Sequence, residues 1–372
     1  ALFRMFYLRQ PITGLLTKNC QLISGRDNEL ILLIKMKNTL SGFFALLLLL
    51  SFSCNSNNAK DIDKADQSFA IFENTFLDAY WKQYPSGSIN AGYGKYYDHL
   101  VIPDSASFAA NINFSNNWAV SLKKIDYEHL NENNKISFNI INNQLQSDIW
   151  YTSVFKIQEW DASIYNISAS SDFILNQPYA PLDVRLKILS DFLAHTDRYF
   201  KAALRNLNKP TKEHVELAIV QNKGGLEVFG TALSDSIRSS HLSNDERSVL
   251  QQNITATLHA MNGYIDSLKA IVANKDYVFR DFRIGKKLFT EKFKYDLATD
   301  LTPEQVYEKA LVDNKFYHRK MFVLADKVWS KYYPNQPEPN DSLELVQLVL
   351  NKIQLNHAKP ADFFNAVSSQ VH

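Results

Sequence analysis

Residues 182–207 read Leu-Asp-Val-Arg-Leu-Lys-Ile-Leu-Ser-Asp-Phe-Leu-Ala-His-Thr-Asp-Arg-Tyr-Phe-Lys-Ala-Ala-Leu-Arg-Asn-Leu. Leu182, Leu186, Leu189, Leu193, Thr196, Phe200, Ala203 and Leu207 step by three or four positions, the spacing of one helix face. The pattern predicts one amphipathic helix of about seven turns. The break at Pro178 to Pro181 sets its start.

The same period recurs on both sides. Asp66 to Tyr84 carries Phe69, Phe72, Phe76 and Tyr80, and Pro85-Ser86-Gly87 closes it. Trp118–Leu130 and Ile136–Trp160 follow the period too. Ile89 to Phe114 holds Gly92, Gly94 and Pro103 and reads as loop with short extended pieces. Thr211 to Ile237 reads as helix through Val215, Ile219, Leu226, Phe229 and Leu233. Gly224, Gly225 and Gly230 fall inside it. A mid-helix Gly costs about 1 kcal/mol relative to Ala, so a kink or a close helix contact is expected there.

Later helices announce their starts. Ser243-Asn244-Asp245-Glu246 is a capping box opening a run through Val249, Leu258, Ile265 and Val272. Thr302-Pro303-Glu304-Gln305 adds a proline at the first helical position and opens a run to Tyr332. Asp341 and Glu344 cap a helix through Leu345, Leu348 and Leu355. Pro360 opens a last one, with Phe363, Val367 and Val371 on one face, and it stops at His372 without a closing signal. The C-terminus therefore reads as truncated. The fold class expected is all-α, with few short strands at most.

Composition agrees. Eleven Gly and eleven Pro in 372 residues are too few for a turn-dense β-sandwich, and 45% hydrophobic residues allow a sizeable core. A net charge of +1 gives no bulk attraction to nucleic acid.

The N-terminus suggests export. Residue 1 is Ala, and residues 1–35 read as a mis-called or untranslated leader. Met36-Lys37, the apolar run Leu40 to Phe52 and Ser53-Cys54 then form a signal peptide over 36–53. The apolar run is too short for a membrane span of about 20 residues. Cys54 after Ser53 resembles a bacterial lipoprotein signal, in which the Cys becomes the lipidated first residue. Ser51 stands where Leu is commoner, and the rival readings are an ordinary signal peptide or a buried helix with an incidental Cys. Residues 54–67 would be a polar tether and 68–372 the helical domain. The mature chain has a net charge of −3, and its single Cys carries lipid, so neither disulfide nor thiol chemistry is expected. The partner expected is the membrane, through that anchor, at the cell envelope.

Catalytic motifs are missing. No two of the nine His are spaced i, i+3 or i, i+4, and there is no His-Glu-x-x-His. Glu213-His214-Val215-Glu216 is a poor metal site, because adjacent residues point to different helix sides; acidic residues at the positive helix end explain it. Gly-x-x-x-x-Gly-Lys-Ser/Thr and Gly-x-Ser-x-Gly are absent. Gly92-Tyr93-Gly94 lacks the context of a dinucleotide loop, and Lys223-Gly224-Gly225 reads as packing rather than a phosphate cradle. Trp81, Trp118, Trp150, Trp160 and Trp329 read as core, not as a sugar platform. Lys286, Lys287, Lys292 and Lys294 are balanced by Glu291, Asp296 and Asp300. No catalytic, cofactor or metal residue is expected on this chain.

Residues 279–311 carry a resemblance. Arg283-Ile284-Gly285, a short helical segment and then Leu301-Thr302-Pro303-Glu304 resemble the bacterial family called domain of unknown function 885. Tyr84-Pro85 through Gly92 to Tyr97-Asp98-His99-Leu100 is similar to the family's entry segment, and Leu204-Arg205-Asn206-Leu207 to Gly225 recurs more weakly. The likeness spans roughly residues 66–372. It implies a multi-helix metallopeptidase-like fold related to gluzincin carboxypeptidases and oligopeptidases, in members often exported or lipid-anchored. The family's zinc motif, His-Glu-x-x-His with a later Glu, lies in a C-terminal half that this chain does not reach. Zinc is thus expected only with that half, peptide is the implied substrate, and the chain by itself is expected to be inactive. The rival is a complete non-catalytic envelope lipoprotein that binds peptide or glycan; a structural or assembly lipoprotein is a third reading.

Overall fold

The computed structural model describes residues 55–371. Among them the chain is all-α, with one isolated parallel bridge between Thr211 and Arg280. The chain divides into two compact units at Ala298/Thr299.

The first unit opens with α1 (Asn55–Gln83), which begins inside the polar stretch read as a tether, and α2 (Pro85–Asn90). Phe69 and Phe76 of α1 are fully buried, with Trp118 5.3 Å from Phe76. The loop expected to reach Phe114 ends sooner. Asp104 caps α3 (Ser105–Leu122) in a reciprocal box with Ser107, so the helix starts ten residues before Ser115 is reached. The helix expected over 118–130 stops at Leu122, and Leu130 is buried from a turn instead. α4 (Glu132–Trp150) packs on α3 and runs into a wider turn at Tyr151–Phe155. Lys156 then takes a left-handed φ of 51° and redirects the chain into α5 (Ile157–Trp160), so the expected run 136–160 is broken.

α6 (Ser168–Asn176) leads to the stripe at 182–207. It is two helices, α7 (Leu182–Leu193) and α8 (Thr196–Asn206). Leu186, Leu189, Leu193, Thr196, Phe200 and Ala203 are nonetheless all buried, as the stripe predicts. The break comes where the Thr196 hydroxyl bonds Leu193 O at 3.1 Å and Thr257 Oγ1 at 2.8 Å. A side-chain oxygen there competes with the backbone ladder. The run 211–237 is likewise divided, into α9 (Lys212–Gly225), a tight turn at Leu226–Phe229 and α10 (Thr231–Ser239). Gly225 supplies the close contact: a Cβ there would stand 1.9 Å from Ser168 Oγ and 2.6 Å from Ser168 Cβ on α6.

α11 (Asn244–Ala273) begins at Ser243 with both capping-box bonds formed. It packs against α7, α8 and α9, burying Leu250, Met261, Tyr264 and Leu268 in the largest core cluster. α12 (Gly285–Leu297) leans on α4, where Ile284, Leu288 and Tyr295 pack on Trp150, Phe155 and Trp160.

The second unit holds α13 (Pro303–Tyr332), capped by Thr302 with Gln305, α14 (Ser342–Ile353), capped by Asp341, and α15 (Phe363–Val371). Its core is small: Ala325 and Trp329 of α13 against Leu345, Val346 and Val349 of α14. No side chain of α13 between Pro303 and Leu324 is buried.

Candidate functional site

Three backbone segments of the first unit lace together. Asn208 N donates to Glu159 O at 2.6 Å, Thr211 N to Trp160 O at 3.2 Å, and Arg280 N to Pro210 O at 3.3 Å. That lacing brings Asp161, His214, Trp160, Arg280 and Phe282 to one place.

Thr211 caps α9, and its Oγ1 accepts from His214 N at 3.3 Å. The same oxygen shares a hydrogen bond with His214 Nδ1 at 2.5 Å. Nε2, on the other side of the ring, lies 3.5 Å from Asp161 Oδ2. Asp161 Oδ1 accepts from Ser163 N at 2.9 Å and Ser163 Oγ at 2.5 Å. Phe282 stacks on the imidazole at 5.5 Å, Trp160 meets it edge-on, and the Arg280 guanidinium lies 4.6 Å over Trp160.

Hydroxyl, imidazole and carboxylate thus stand in the order of an acyl-transfer triad. The hydroxyl is wrong for attack. Thr211 is 0% exposed and already holds the helix cap. The arrangement can orient an imidazole and hold its proton; it has no reachable nucleophile. The sequence placed His214 beside Glu213 and Glu216, and nothing in the spacing foretold Asp161, 53 positions away.

The other sequence features fall into packing or capping. Cys54, the lipidation residue, lies outside the described residues, as do the leader and the signal at 36–53. Four tryptophans, Trp81, Trp150, Trp160 and Trp329, are core residues and Trp118 packs half-buried against Phe72 and Phe76. In the Gly92 to Gly94 loop, Tyr93 and Tyr96 donate to Asp78 at 3.0 and 2.8 Å, and Lys95 pairs with it at 2.8 Å. The Lys95 contact, then Tyr96 and Tyr93, holds the Asp78 carboxyl down to about 2. Lys292 pairs with Asp296, and Glu291 accepts from Trp150 Nε1 at 2.7 Å.

Zinc, which the resemblance implies for the family, finds no fitting donor set. Among the described residues no group of three or more His, Cys, Asp or Glu could hold a metal ion. The His214–Asp161 pair offers two donors, with Nδ1 turned to Thr211.

The family profile described as "Bacterial protein of unknown function (DUF885)" matches residues 85–369. The chain belongs to this family. Its shared segment at 283–285 has a physical reason: Gly285 starts α12 at φ +79°, a conformation that strains any L side chain. Ile284 beside it fills the Trp150 cluster, while Arg283 stays exposed near Asp281. A solved structure, described as "a putative lipoprotein of unknown function from Shewanella oneidensis", matches with 32% identity and a TM-score of 0.71. The match covers 82% of this chain and 56% of that one, so this DUF885 chain spans little more than half the length of that relative. No curated protein matches it. Among the described residues no helix is long and apolar enough to cross a membrane.

Proposed function

We propose that this DUF885 chain is the N-terminal portion of an exported, lipid-anchored protein with a zinc-peptidase-like whole. In this reading residues 54–372 form one side of a peptide channel and carry no metal site. Cys54 supplies the anchor, and the His214–Asp161 site is an internal latch that fixes the family segment at 280–285 rather than a catalytic centre.

The observation that supports it best is the apolar face left on the second unit. On one face of α13, Tyr307, Tyr317, Met321 and Leu324 are 65%, 59%, 40% and 63% exposed, and Phe364 of α15 is 84% exposed. Side chains of this kind, contiguous on an amphipathic helix, mark a surface that meets more protein or an extended peptide. The likeness to a longer relative favours more protein.

Two experiments test the reading. Sequencing the locus in frame past codon 372 is expected to find His-Glu-x-x-His; a stop directly after that codon overturns the peptidase reading and favours a binding lipoprotein. Replacing Cys54→Ser is expected to abolish labelling by radioactive palmitate and to move the protein from the membrane to the soluble fraction. Unchanged fractionation refutes the anchor.

A further inference from the structure

One buried carboxyl lies outside everything described so far. Asp148 sits on α4, facing Tyr80 of α1, Tyr84 at the junction of α1 and α2, and Ser115 of α3. Gln144 Nε2 donates to its Oδ1 at 2.7 Å. Its other oxygen, Oδ2, is sealed from solvent without a hydrogen bond of ordinary geometry, and so are Tyr84 Oη and Ser115 Oγ. Aromatic rings close the cluster: Tyr80 lies 4.6 Å from Tyr84, and Phe114 meets Tyr84 edge-on at 6.1 Å.

Among the described residues no cation acts on this carboxyl. From α1 and its junction with α2 the facing titratable groups are the phenols of Tyr80 and Tyr84, from α3 there is the Ser115 hydroxyl, and from α4 itself Gln144. α12 also packs on α4, where Glu291 meets Trp150, and Asp296 meets Tyr151 and Lys292. In the wider turn after α4, Lys156 pairs onward with Glu159.

We propose that Asp148 is a proton-binding site that clasps α1, α3 and α4 together, so that closure of this bundle follows the pH of the surrounding medium. As a neutral acid, Asp148 carries a proton of its own, which Oδ2 can donate to a neighbouring hydroxyl oxygen, Tyr84 or Ser115, while the hydroxyl protons turn elsewhere. As a carboxylate it is a desolvated charge held only by neutral donors, the Gln144 amide and the Tyr80 and Tyr84 hydroxyls, with no cation to balance it. Burial, opposed by the Gln144, Tyr80 and Tyr84 contacts, lifts Asp148 to about 7. Burial and then the Asp148 charge push Tyr84 up as well, so phenol and carboxyl resist ionising together. That the medium is extracytoplasmic rests on the export reading above; the proton site itself does not.

The test is infrared difference spectroscopy of the full chain between about pH 5 and about pH 9. The carboxylic-acid C=O band is expected to persist past pH 6 and bleach near about 7, and to be missing from Asp148→Asn. Amide exchange in α1, corrected for its intrinsic pH dependence, is expected to speed up by on the order of tenfold per pH unit across the window below 7 in the wild type and to stay flat in the variant. A wild-type protein with no acid band above pH 6 overturns the proposal, whether or not the variant folds. So does a band that the variant retains. Export is scored separately by the Cys54→Ser fractionation.

Discussion

Replacing Gly225→Ala tests the packing of α9 on α6 directly. The new Cβ would stand 2.6 Å from Ser168 Cβ and 1.9 Å from Ser168 Oγ, while carbon atoms rest about 3.5–4.0 Å apart. The hydroxyl can rotate away, but both Cβ atoms are fixed to helix backbones. α6 and α9 must therefore separate by about 1 Å. Overpacking of that order costs about 1–3 kcal/mol, and two rigid helices with Gly225 and Ser168 both buried belong at the upper end. Against it, Ala is favoured over Gly in a helix by up to about 1 kcal/mol. The net expected loss is about 2 kcal/mol. Urea unfolding followed by far-ultraviolet circular dichroism and tryptophan fluorescence reads it, since Trp81, Trp118, Trp150 and Trp160 report the first unit. Adding Ser168→Gly removes both clashing atoms and is expected to restore most of the loss, which a double-mutant cycle records as coupling. A Gly225→Ala protein as stable as the wild type, or a second substitution that only adds to the loss, refutes the argument.

Asp148 also sets a pH dependence of stability. Its carboxyl is raised from 3.8 to about 7 on folding, so the folded state holds the extra proton. Stability is full below the unfolded value and falls as pH rises through the folded one, by up to about 4 kcal/mol; Asp148→Asn should flatten that slope in pH-resolved urea titrations. Asp78 runs the other way: its carboxyl is depressed to about 2, so its contribution is present above 3.8 and is lost as pH falls toward 2. Asp78→Asn is expected to open the loop at residues 91–104 to limited proteolysis while leaving the helical content unchanged. Ser243→Ala removes the hydroxyl that accepts from Glu246 N and should lower stability by about 1 kcal/mol in the same urea assay.

The helices were legible wherever a start signal was encoded locally. Ser243, Thr302 and Asp341 cap as their spacing predicts, because a cap is decided within four residues. The burial face of 182–207 was legible as well. Its interruption at Ala194-His195 was not, since the stripe continues across the break and the Thr196 hydroxyl that bonds Leu193 O is also engaged by Thr257 on a helix distant in sequence. α3 was hidden for a different reason. Asn111, Asn113, Asn116 and Asn117 dilute its apolar period, and its first turn is Ser-Ala-Ser. Asp104 with Ser107 was the available signal, a box built with serine in place of the usual acid or amide. The Asp161–His214 pair and the Asp148 cluster depend on segments brought together by the tertiary fold. No spacing rule reaches that far.

Two helices of 30 residues, α11 and α13, offer a contrast in cooperativity. Both begin with a complete capping box, so their first turns are equally well nucleated. α11 is bound along its length to α7, α8 and α9 and melts only with them. The stretch of α13 from Pro303 to Leu324 buries no side chain fully, so it lacks most of the tertiary packing that stabilises helices in proteins. Its ladder thus leans on a local helix–coil balance, one that a surface laid along Tyr307, Tyr317, Met321 and Leu324 would tip. In a binding isotherm this would register as heat released by helix formation, over and above the apolar contact itself.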